Sequence, residues 1–169
     1  NNIIILPNNK NIIMAAEAAR ELSSKNVTVV GSRTVPQGVM ALMQLDLDGD
    51  LDAVTAEMRD ALNDVATGEI TRAVRSVTLD GVEVEEGAFI GMVNGRLSTS
   101  GNDMTEVIAQ TLEGMDMEGR EIVTIYYGDD ATEADAEVVA EQIETSYEDV
   151  ETEIIPGHQP HYFYILGAE

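Results

Sequence analysis

The chain has 169 residues, the length of one domain and enough to bury roughly 70% of its unfolded surface. Hydrophobic residues make up 44% and charged residues 24%, with 14 Gly and 4 Pro, which excludes disordered and fibrous chains, and the lack of Cys excludes disulfides, thiolate nucleophiles and thiolate metal sites. Nine Lys and Arg stand against 32 Asp and Glu, a formal charge of −23, and so acidic a surface repels phosphate backbones, which excludes nucleic acid as the natural partner.

In chain order, Asn1-Asn2-Ile3 offers neither Met nor a basic signal region, and no later apolar run reaches the roughly 20 residues of a membrane span. The expectation is a soluble, cytoplasmic fragment of a longer chain. Ile3 to Leu6 is a continuous apolar run closed by Pro7-Asn8-Asn9, the pattern of a strand buried on both faces and then a turn. Over residues 11–24, Ile12, Ala15, Ala16, Ala19 and Leu22 share one helical face, and Val27 to Val30 resumes strand character. Strand, helix, strand implies a right-handed crossover between parallel strands, with loops 7–10 and 31–38 at the strand C-terminal ends, the usual binding edge. Pro36 suits the first turn of a short helix through Val39, Leu42 and Met43, and Leu51, Val54, Met58, Leu62 and Val65 form the stripe of another. Both are expected to face the core, with Met40, Met43 and Met58 as core filler rather than a lipid pocket.

Residues 69–98 alternate in short runs broken by Asp80-Gly81, Glu86-Gly87 and Asn94-Gly95, three hairpin signals that predict an antiparallel meander. After Asn102-Asp103, with Glu106 placed for a capping box, Val107, Ile108, Thr111 and Leu112 predict a helix ending at Gly114. Residues 122–127 read as a strand. Thr132 and Asp135 cap a helix with the stripe Ala136, Val139, Ala140, Ile143 and Tyr147, its Glu137, Glu141, Glu144 and Glu148 facing solvent. Residues 150–155 and 162–166 read as the last strands. The fold class is α/β: one domain over 1–169, a mostly parallel sheet with flanking helices and an antiparallel β-meander inserted at about 68–100.

Self-sufficient chemistry is hard to find. Asp46, Asp48, Asp50 and Asp52, with Glu57, look at first like a calcium loop, but an EF-hand needs Gly at its sixth position, where Leu51 stands, so helix capping explains the acids better. His158 and His161 lack a third metal ligand nearby. No Ser-His-Asp order, nucleophile elbow or phosphate loop is present. Arg33, Arg72 and Arg75 stand out among few cations as groups able to fix a carboxylate or phosphate, or else to pair with one of the many acids. The acidic excess reads either as a solvated surface of a salt-adapted protein or as a face for a basic partner, and its spread along the chain favours the first.

Four strings in order, Asn8-Asn9-Lys10-Asn11-Ile12 with Ala15-Ala16, Thr34-Val35-Pro36-Gln37-Gly38, Thr67-Gly68-Glu69-Ile70-Thr71 with Ala73-Val74-Arg75, and Gly157-His158-Gln159-Pro160-His161-Tyr162 near Glu169, resemble the C-terminal domain of the dihydroxyacetone-kinase-like catalytic subunit of bacterial fatty acid kinase. The resemblance covers nearly the whole chain, and it departs at His158, where the family usually has Gly. It implies a DegV-like α/β fold and a larger protein whose N-terminal kinase domain binds ATP and magnesium, with a middle domain between. The loop from Thr34 to Gly38 resembles the carboxylate-holding loop of DegV-type fatty-acid-binding proteins, with Val35 in place of Ser.

The function so implied is a non-catalytic module, without cofactor of its own, that docks a DegV-type fatty-acid-binding partner for the kinase domain. Other partners are the kinase and middle domains of the same chain, and a homodimer stays open. The alternatives are a free-standing fatty-acid carrier and a calcium-responsive acidic module. The expected partner-binding residues are Asn9, Arg33, Thr34 and Gln37, on the loops after the first two strands, with His158, Gln159 and Tyr162 of the loop from Gly157 to Tyr162 as an addition; none is expected to be catalytic or to bind metal.

Overall fold

Ile3, Ile4 and Ile5 form β1 (Asn2–Ile5), which pairs in parallel with β2 (Asn26–Val29), Ile3 opposite Val27 and Ile5 opposite Val29. The crossover is α1 (Lys10–Leu22), as the strand, helix, strand pattern requires. The computed structural model describes residues 2–79 and 81–169, so the Asp80 half of the first hairpin signal lies outside the described residues. One domain is expected over 1–169; the structure has two compact units, Asn1–Val65 and Ala66–Glu169.

The first unit continues with α2 (Val35–Met43), α3 (Leu51–Asp60) and a 3-10 turn at Ala61–Asn63. Its core is Val30, Ala41, Val54 and Met58, with Ile4, Leu6 and Leu62 packed against them. Asp50 caps α3 through the N–H groups of Asp52 and Ala53, and Asp46 accepts from the Asp48 N–H, so the apparent calcium loop is turn and cap chemistry. Met58 is core, as expected, but Met43 is exposed. The expected inward face of α2 is corrected: Pro36, Gly38 and Ala41 are buried, while Val39, Leu42 and Met43 are exposed. The reason is close approach. A Cβ at Gly38 would overlap the Asn8 side chain, so only small residues fit that face and the large ones turn outward. In α1 only Ala16 of the expected stripe is buried; Ile12 and Leu22 are exposed.

The second unit is built from β3 (Ala66–Arg72), β4 (Val77–Leu79), β5 (Val82–Val84), β6 (Phe89–Val93), β7 (Arg96–Gly101), α4 (Met104–Gly114), β8 (Ile122–Tyr127), α5 (Glu133–Ser146), β9 (Glu151–Pro156) and β10 (Tyr162–Ala168). Six of the strands form one sheet in the order β7-β6-β3-β10-β8-β9, and β4 pairs with β5 in a separate ribbon. Here the expectation of a mostly parallel sheet is overturned: of the five pairings in the six-stranded sheet, only β8 with β9 is parallel. Residues 157–161 are too few for a crossover, so the chain leaving β9 must return antiparallel, and it does so as β10 between β3 and β8. Nor is the meander an insertion, since β3, β6 and β7 are half of the sheet. Its tip at Asn94-Gly95 has φ of 50° and 76°, the two left-handed residues of a type I′ hairpin.

Register places Ile70, Leu166 and Ile125 on one sheet face, where α4 supplies Val107, Ile108 and Leu112 and α5 supplies Ala136, Val139 and Ile143. Ile70, Leu112, Ile125, Ile143 and Leu166 are fully buried, each worth about 1.5 to 3 kcal/mol of transfer free energy. The α5 stripe is the expected one, and Thr132 and Asp135 form the expected capping box. The α4 cap is simpler than expected: Asp103 accepts from the N–H groups of Thr105 and Glu106, while the Glu106 carboxylate accepts from Gln110 instead of closing a box. Among the described residues, no helix is long and apolar enough to cross a membrane.

Candidate functional site

Parallel pairing of β1 with β2 brings the loops after them together. Asn8, at φ 53°, donates its backbone N–H to Ser32 Oγ at 3.0 Å, and the Ser32 hydroxyl donates to Asn8 Oδ1 at 2.7 Å. This pair ties the loops one residue before Asn9 and Arg33. Four of the expected site residues thus sit on one edge, but with different employment. Asn9 caps α1 by accepting from the Asn11 N–H at 2.8 Å. Thr34, buried, caps α2 by accepting from the Gln37 N–H at 3.4 Å. Gln37 is a brace: its Oε1 accepts from the Arg33 N–H at 2.8 Å and its Nε2 donates to the Leu62 carbonyl at 3.1 Å. Arg33 is exposed, and its guanidinium has no ion-pair or hydrogen-bond partner among the described residues, in a chain with 32 acids.

His158, Gln159 and Tyr162 belong to the second unit, on and just after the loop between β9 and β10. Gln159 Nε2 donates to the Tyr126 carbonyl at 2.9 Å and the main-chain carbonyl of Gln159 accepts from the Asp129 N–H at 3.1 Å, so this residue clips the loop to the end of β8. Exposed His158 points Nδ1 toward Asp129 Oδ1 at 3.9 Å, a loose pairing in open solvent. Its backbone lies at φ 53° and that of His161 at φ 73°, the left-handed region that favours glycine. Tyr162 is half-buried, and burial, then the charge of Glu69, raises its pKa. Asn8, Ser32 and Asp129 take part in these arrangements although none was expected at the site, Asn8 standing in the sequence reading only as part of the turn after the first strand and of the first resembling string. Asn8 and Ser32 could have been found as Asn and Ser in a turn after a strand.

Other shifted groups move away from neutrality, not toward it. Tyr126 and Tyr147 are raised by burial, Tyr164 is pushed up to about 12 by burial and then by the charge of Asp135, and Asp135 itself is lowered by its bonds to Thr132. Such shifts record packing and capping rather than a poised acid or base. Arg72 is accounted for structurally: its guanidinium lies 4.3 Å from the Phe89 ring centroid and donates to the Gly87 carbonyl at 2.8 Å. An open cleft of about 850 Å³ lies elsewhere, at the N-terminal ends of β8 and β9, between residues 117–122 and 147–151. It holds none of the expected residues and faces away from the strand ends where α/β sites form. Among the described residues no group of three or more His, Cys, Asp or Glu is placed to hold a metal ion.

Comparison with known proteins follows the same lines. The family model of the FakA-like fatty acid kinase C-terminal domain matches residues 1–169. Uncharacterized proteins of several Staphylococcus aureus strains are 39% identical over 166 residues, covering 98% of this chain, which spans 30% of their length. Among solved structures, a DegV family protein from Corynebacterium glutamicum superposes with a TM-score of 0.68 at 15% identity, covering 99% of this chain and 74% of that one. DegV from Bacillus subtilis, described as a fatty acid binding protein, gives 0.60 at 12%, covering 99% and 71%. The dihydroxyacetone kinase from C. freundii, in complex with AMP-PNP and Mg2+, gives 0.59 at 13%, covering 98% and 38%. At these identities the structures share a fold with this chain.

Proposed function

We propose a function from one premise: this chain belongs to the FakA-like family of fatty acid kinase C-terminal domains. It is a module related to fatty acid kinases, with the fold of DegV-family proteins and of dihydroxyacetone kinase. In our reading it performs no chemistry itself. It docks a DegV-type fatty-acid-binding protein in the cytoplasm and presents the acyl carboxylate to a separate kinase domain, which would use ATP and magnesium to form the acyl phosphate.

The observation that supports this most directly is Arg33. An exposed guanidinium left unpaired amid a large excess of carboxylates, on a loop braced by Gln37 and tied by Asn8 to Ser32, is a charged donor held in place for a group from outside. Isothermal titration against a purified, fatty-acid-loaded DegV-type protein tests it. Arg33→Ala should weaken binding by roughly 1 to 3 kcal/mol while leaving the melting temperature unchanged. Intact binding, or a loss of stability as large as the loss of binding, overturns the assignment. The chain alone with ATP, magnesium and the loaded protein should form no acyl phosphate, and turnover above background would make it a catalyst. A fatty acid carried through purification, detected by native mass spectrometry, would make it a carrier.

A further inference from the structure

We propose that the outward face of α2, together with the segment that follows it, docks a basic amphipathic helix of another protein. Val35, Val39, Leu42 and Met43 recur at helical spacing and are 41%, 39%, 54% and 69% exposed. Leu45 and Leu47 prolong the patch, Leu47 at 88%. Single exposed apolar residues are ordinary, but six within thirteen positions are a surface with a use. The opposite face of α2 is already taken up, with Pro36, Gly38 and Ala41 buried and the Asn8 side chain lying where a Cβ of residue 38 would stand.

Charge selects the occupant. Asp46, Asp48, Asp50 and Asp52 alternate through the end of the patch, and the sequence has no Lys or Arg from residue 34 to residue 58. An apolar strip edged by one sign of charge attracts a helix with apolar anchors three and four residues apart and Lys or Arg beside them. A second copy would bring two acidic edges together, and anionic lipid or a free fatty-acid carboxylate would meet the same repulsion. Met43 adds a side chain that adapts to more than one anchor. This surface is independent of the role given to Arg33.

The test is selection from a displayed library of random peptides about 14 residues long, some four helical turns. Three immobilised baits are compared: the wild-type chain, Leu42→Ser/Met43→Ser, which keeps every charge, and Asp46→Asn/Asp48→Asn/Asp52→Asn, which keeps the apolar face and the Asp50 cap. Peptides enriched on the wild type should be net positive with apolar residues at helical spacing, and each bait variant should lower their affinity roughly tenfold or more. Arg33→Ala should bind them as the wild type does, even where it fails to bind a DegV-type protein. Circular dichroism checks folding, and Val39→Ser/Leu47→Ser serves as the apolar variant if the first does not fold. Equal binding to the apolar variant would reduce the effect to general attraction by an acidic chain and overturn the proposal. Acidic or neutral winners, no enrichment, or sedimentation showing self-association that the variants abolish would overturn it as well.

Discussion

Gly38→Ala sets two well-characterised effects against each other. Replacing Gly by Ala inside a helix is worth about 1 kcal/mol in favour of folding, and Gly38 is not in the left-handed region, so the backbone accepts the change. Packing opposes it. The new methyl would overlap the end of the Asn8 side chain, whose Oδ1 accepts from Ser32 at 2.7 Å. Moving Asn8 aside strips a partner from the hydroxyl of Ser32, a fully buried residue, at about 1 to 3 kcal/mol, and overpacking adds about 1 to 3 more. The balance is a net loss of roughly 1 to 5 kcal/mol, confined to the first unit. All five Tyr and both Phe lie beyond residue 66, so near-ultraviolet dichroism reports the second unit and should not change. Hydrogen exchange read by mass spectrometry on peptides from residues 2–65 should show the loss. Asn8→Gly, which suits φ 53°, removes the obstacle, and in that background Gly38→Ala should be neutral or stabilising. Slower exchange in the single Gly38→Ala variant would mean that Asn8 yields freely and that close approach does not set the orientation of α2.

Two further substitutions probe the second unit. Bonds from Thr132 hold the Asp135 carboxyl below its usual range, so its contribution to stability is complete above the unfolded carboxylate value, near 4, and is lost as pH falls through the lower folded value. The melting-temperature gap between wild type and Asp135→Asn should therefore be widest at neutral pH and close below about pH 4, and a gap independent of pH would remove the carboxylate from the cap. His158→Gly releases a side chain from left-handed backbone, a gain of about 1 to 2 kcal/mol that glycine's entropy in the unfolded chain reduces to between about 0 and 1. Urea unfolding should show it unharmed, and a fall in stability would mean that the His158 side chain is structural.

The α5 stripe and its capping box were legible because local chemistry decides them: a Thr three residues before an Asp, then small and apolar residues at 3.6 spacing, admit one arrangement. The β1-α1-β2 crossover was legible for the same reason. Strand direction in the larger sheet was a different matter, since it depends on which strands become neighbours, and neighbours are chosen by the whole core. One local cue did exist. Residues 157–161 cannot carry a parallel crossover, so β10 had to oppose β9, and a central antiparallel β10 turns β3, β6 and β7 from an appendage into half of the sheet.

At the candidate site the sequence marked polar loop residues, and polar loop residues serve either the backbone or a partner. Position relative to a helix separates the two. Asn9 stands immediately before α1 and Thr34 immediately before α2, with Pro36 in the first turn, and these are capping positions before they are binding positions. Gln37, one turn into the helix, reaches back to the Arg33 N–H, so three of the four residues expected on this edge hold its shape and Arg33 is left to face outward. The apolar face of α2 escaped for a symmetric reason. A 3.6 period says which residues share a face and is silent on whether that face turns in. What settles the matter is the opposite face, where Gly38 and Ala41, three residues apart, are buried and Gly38 lies too close to the Asn8 side chain for a Cβ, so the smallest residues mark the inward side when larger ones compete for it.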